Sequence, residues 1–67
     1  MNSSKIIIPD FIQKYNSFNS IQEKHNFVLE SIILINPNFI MITKLYHKVN
    51  INEKQDIIDK LYKLIIT

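Results

Sequence analysis

The sequence predicts an all-α fold, a small bundle of three to four short helices forming one domain over residues 1–67. Three observations carry this expectation. Asn50 to Ile66 reads as a clean amphipathic helix, helix-start signals recur at Pro9, Ser20 and Asn36-Pro37, and apolar residues recur at helical rather than strand spacing.

The first helix is expected from about Pro9 to Phe18. Proline suits a first helical turn, because its ring presets φ and its missing N–H would be unpaired there anyway. Asp10 then favours the positive end of the helix dipole, and Ile8, Phe11, Ile12, Tyr15 and Phe18 form one stripe.

The second helix is expected to open at Ser20, where Ser20 and Glu23 match the S-x-x-E capping box. Its apolar face takes in Ile21, Val28, Leu29, Ile32, Ile33 and Ile35. It ends near Ile35, because Pro37 disfavours the α conformation at Asn36. Asn36-Pro37 repeats the start signal for a third helix reaching about Lys48, with Lys44, His47 and Lys48 at its negative end. The fourth helix is capped by Asn50 or Asn52. Ile57, Ile58, Leu61, Tyr62, Leu64 and Ile65 form its stripe, and Asp56 with Lys60 and Asp59 with Lys63 make acid-first i,i+4 pairs.

An α+β alternative places a short hairpin at Ser31 to Ile35 and Phe39 to Thr43, both rich in β-branched residues and separated by Asn-Pro-Asn. Neither flank alternates apolar with polar, so the helical reading is preferred. Lys5 to Ile8 is a second candidate strand, able to pair with a partner sheet.

Composition bounds the function. The chain has 67 residues, 46% hydrophobic and 21% charged, a globular rather than disordered balance. A domain this small buries only about 60% of the surface its unfolded chain exposes, so partners or self-association are common supports. Cysteine is absent, which removes disulfides and thiolate metal ligands. Glycine is absent too, which removes the Gly-rich phosphate loops. Met1 to Lys5 is followed by only three apolar residues before Pro9, unlike a secretory leader, and the expected location is the cytoplasm. The most apolar stretch, Phe27 to Ile42, is interrupted by Glu30 and Asn36-Pro37-Asn38 and falls short of a membrane span.

No catalytic set is legible. The two histidines, His25 and His47, read as a boundary histidine and a helix C-terminal cation, each without a carboxylate to orient it. Neither an H-x-x-x-H nor an E-x-x-H spacing exists, so no metal or other cofactor is expected and the protein is read as a non-enzyme.

Nucleic-acid binding ranks second. The net charge is +2 and the pI about 9.0, and a helix-turn-helix-like reading would use Lys44, His47 and Lys48. Against it, the N-terminal half of that helix is Asn38-Phe39-Ile40-Met41-Ile42, with no Arg or Gln for bidentate base contacts.

The leading reading is a protein-interaction module, of docking, adaptor or small-inhibitor type. Phe39 through Ile42 cover every side of one helical turn, so some of them face outward. The expected partner-binding residues are Phe39, Ile40, Met41, Leu45 and Tyr46 from the third helix and Ile58, Tyr62 and Ile65 from the fourth, lining a groove rimmed by Lys44, Lys48, Lys60 and Lys63. The expected partner is another protein or its helical or terminal segment, of acidic character, or a second copy in a homodimer. In the opposing core reading, Phe39 and Ile42 face inward while Ile6 to Ile8 shield Ile40 and Met41. A complete small protein and an N-terminal docking piece both fit the length.

Overall fold

The structure, a computed structural model, describes residues 6–67. Four helices follow one another: α1 (Ile8–Ser17), α2 (Ile21–Ile35), α3 (Ile40–Tyr46) and α4 (Ile51–Ile66), with a 3₁₀ turn at Pro37–Phe39 leading into α3. The all-α expectation holds. No strand exists among the described residues: Ser31 to Ile35 is the last turn and a half of α2, and Phe39 to Thr43 runs from the 3₁₀ turn into α3. The hairpin alternative is therefore set aside. Ile8 opens α1 and Ile6 and Ile7 are not in a strand, while Lys5 lies outside the described residues.

The boundaries follow from caps. Ser20 Oγ accepts from the backbone N–H groups of Gln22 at 3.1 Å and Glu23 at 3.4 Å, the serine half of the expected capping box. Asn50 Oδ1 accepts from Glu53 N–H at 3.0 Å, which settles the choice between Asn50 and Asn52. Asn36 is extended, with φ −152° and ψ 105°, as a residue before proline should be. Its side chain accepts from Asn38 N–H at 3.0 Å.

The third helix departs from expectation at both ends. Phe39 N–H bonds to the Asn36 carbonyl at 3.0 Å, closing the tighter i→i+3 ring, so regular α geometry starts only at Ile40. At the other end, Lys48 N–H bonds to the Leu45 carbonyl at 2.9 Å. The helix thus tightens after Tyr46 instead of reaching Lys48. Lys54, from α4, donates to the Val49 carbonyl at 2.7 Å and fixes the connecting turn.

α2 and α4 are the main packing pair, with α1 and α3 laid against them. The core comprises Phe11, Val28, Leu29, Ile32, Tyr46, Ile58, Leu61 and Ile65. The molecule measures 36 × 27 × 17 Å. Its short axis is less than two helix diameters of about 10–12 Å, so there is room for one core layer and every helix keeps an outer face. Ile21 and Ile35, expected on the apolar face of α2, sit at its ends and are exposed.

Candidate functional site

α3 presents two chemically different sides. Thr43 and Tyr46, three residues apart, are buried. Thr43 Oγ1 donates to the Ile40 carbonyl at 2.7 Å, which satisfies its hydroxyl inside the bundle. On the other side, Ile40 is 45%, Met41 71% and Leu45 47% exposed. Lys44 shares this side at i+3 and i+4 from Met41 and Ile40, and Lys48 lies in the turn beyond the helix end; both are exposed. The outer face of α3 is thus apolar with Lys44 between the apolar residues.

The inner side is held by a chain of hydrogen bonds whose direction can be deduced. The Asp59 carboxylate accepts from Gln55 Nε2 at 3.0 Å, which turns Gln55 Oε1 toward His25. An amide oxygen only accepts, so His25 Nε2 carries the proton and donates across 3.3 Å. In the neutral imidazole His25 Nδ1 is then the acceptor of a hydrogen bond that the Tyr46 hydroxyl donates at 2.7 Å. Three helices are joined in this way. His25 is 2% exposed, so the expected boundary histidine is a buried one, accommodated because both ring nitrogens have partners. His25 therefore offers no free ring nitrogen to a substrate.

The expected groove between the third and fourth helices does not form as drawn. Tyr46, Ile58 and Ile65 are 1%, 0% and 5% exposed and belong to the core, because the stripe of α4 is spent on α2. Tyr62 is half-buried and faces α1, its ring centroid 4.7 Å from that of Tyr15 and 5.6 Å from that of Phe11. Phe39 is half-buried against the core, as is Ile42. Lys60 and Lys63 lie on an exposed, shallow part of α4 beside Leu64 and Thr67, among residues on its solvent side. Of the expected set, α3 brings together Ile40, Met41, Leu45 and Lys44, and Lys48 is exposed in the turn that follows.

A second apolar feature escaped sequence reasoning. An open groove of about 320 Å³ runs between α1 and α2, lined by Ile6, Ile7, Phe11, Phe27, Ser31 and Leu34, with Asp10 and Lys14 at its edge. Ile6 and Ile7 contribute here instead of shielding α3. The available signals were the Ile6-Ile7 pair, read instead as part of a strand or as a shield for α3, and Phe27, which lies off the main stripe of α2.

Two phenols are perturbed. Burial, and next the neighbouring Tyr62 and Asp59, raise the Tyr15 phenol above its usual 10.0; burial raises that of Tyr46. Both are therefore neutral hydroxyls at ordinary pH. Among the described residues no group of three His, Cys, Asp or Glu is placed to hold a metal ion, and no helix is long and apolar enough to cross a membrane.

Comparison with known proteins finds no matching family model, no matching curated protein and no matching solved structure.

Proposed function

We propose that this chain is a non-catalytic protein-interaction module, a docking or adaptor domain or a small inhibitor acting in the cytoplasm, and that its working surface is the outer face of α3. The observation that supports the reading is the exposure of Ile40, Met41 and Leu45 on a helix whose other side already closes the core. Three of the nine large hydrophobic side chains exposed on the described residues, Ile40, Met41 and Leu45, sit on this one helix of seven residues. Such concentration on one stretch is the pattern of an interface rather than of scattered surface residues.

Magnitudes limit what this face does alone. Covering three half-exposed aliphatic side chains contributes roughly 1–2 kcal/mol each. Association itself costs at least about 4 kcal/mol in lost freedom, so three side chains support only weak binding and polar contacts must add to it.

The test is site-resolved photo-crosslinking in the cell that makes the protein. A photoreactive residue replacing Met41 or Leu45 is expected to yield a discrete protein adduct, and one replacing Gln13 or Asn16, exposed on α1, none. Adducts of equal yield from both faces, or from neither, would reject this reading.

A further inference from the structure

Resting on the reading of α3 as an interaction surface, we infer that its occupant is an amphipathic helix of another protein, with carboxylates flanking its apolar stripe, and not a second copy of this chain. From Ser31 to Asn52 the chain contains no Asp or Glu, while Lys44, His47 and Lys48 all fall within it. Lys44 is exposed on the same side as Ile40, Met41 and Leu45, and Lys48 is exposed in the turn that follows α3. Any body that covers the apolar residues therefore brings its own surface against the Lys44 ammonium, with Lys48 in the adjoining turn.

A second copy is poorly suited to this. In a symmetric dimer centred on α3, the same patch meets itself, so Lys44 and Lys48 approach the lysines of the partner copy as their water is removed. The ordinary two-fold solution is penalised by charge before packing begins. A partner bearing Glu or Asp turns the same lysines into an attraction, and their aliphatic stems extend the apolar surface it covers.

The shape favours a helix. The outer side of a short helix offers ridges of side chains three and four residues apart, which interdigitate with the ridges of another helix. An extended segment that binds by strand addition would need an open sheet edge, and the described residues contain no strand. A nucleic acid would satisfy the lysines but would cover Ile40, Met41 and Leu45 with phosphates, leaving nothing apolar against them.

The experiment is a display selection with the whole chain as bait. The library holds helices of about 20 residues, long enough to be helical when bound, with a fixed leucine stripe and Glu, Lys, Gln or Ser varied beside it. Selected peptides are expected to be enriched in Glu, to bind I40K/M41K at least about tenfold more weakly, and to lose affinity as salt is raised. K44E/K48E is expected to reverse the preference toward Lys. Enrichment without charge preference, but still lost in I40K/M41K, would overturn this inference and leave the interaction surface standing. No enrichment at all would overturn both. Two further results would overturn the inference alone: a dimer at micromolar concentration that I40K/M41K dissolves, and binding to vesicles of anionic phospholipid by a chain that ignores Glu-rich peptides.

Discussion

His25 shows how one residue is paid for inside so small a core. A buried imidazole is tolerable because Tyr46 donates to one nitrogen and Gln55 accepts from the other. Removing one partner leaves the other group buried and unsatisfied. Tyr46→Phe should therefore destabilise the protein by about 1–3 kcal/mol, and His25→Leu by a similar amount. In urea unfolding the double variant should cost less than the two single losses together, since it removes both halves of one bond. Additive losses would show that the bond contributes nothing.

The tyrosines set a pH dependence with a definite sign. A phenol with a raised folded-state pKa stays protonated in the native state while the unfolded chain releases its proton. Its contribution is complete below the usual phenol value near 10.0 and is lost as pH rises from there through the raised folded value. The urea midpoint should fall in that alkaline window, and Tyr15→Phe should flatten the fall; an unchanged slope would contradict it. None of this was legible beforehand. The partners of His25 lie 21 and 30 residues away, and only the tertiary fold shows that Tyr46 is one of them.

At the scale of elements, what was legible was local. Ser20, Asn50 and Pro37 act within three residues of themselves, and the starts of α2 and α4 and the end of α2 that they mark agree with the structure. Ser20→Ala and Asn50→Ala should each cost about 1 kcal/mol, read as lower thermal midpoints with little change in helix content. A variant with an unchanged midpoint would show that its cap is replaced by water. The third helix was overestimated because a proline start does not say whether the first rings close as 3₁₀ or α. Here Asn36 accepts from Asn38 and Phe39, which draws the turn tight and delays α3 to Ile40. The α4 stripe was read correctly as apolar and wrongly as available. Periodicity identifies a face but not the neighbour that meets it, and α2 covers Ile58 and Ile65.

The whole molecule is one core layer thick, and this accounts for its surplus surface. Ile58 is fully buried, so Ile58→Ala should cost about 2–5 kcal/mol. That is a large share of the stability of a small domain, and circular dichroism should show loss of helix at moderate temperature. Ile40 and Met41 belong to the opposite class: they are 45% and 71% exposed, and neither is part of the core. Their presence in a chain that spends every buried position on α2, α4 and their two neighbours is the basis for assigning α3 to a partner.

The central claim is that the outer face of α3 serves binding and not folding. It is tested most directly by the urea midpoint of the native chain and of I40K/M41K, each with and without an acidic amphipathic peptide taken from the selection. Binding to the folded state raises stability by about 2.7 kcal/mol at a ligand concentration of one hundred dissociation constants. Equal midpoints are expected for both proteins alone, within about 0.5 kcal/mol as for surface substitutions, and a rise with peptide in the native chain only. A lower midpoint for I40K/M41K without peptide would place these residues in the core, and an equal rise in both proteins would place the binding site elsewhere.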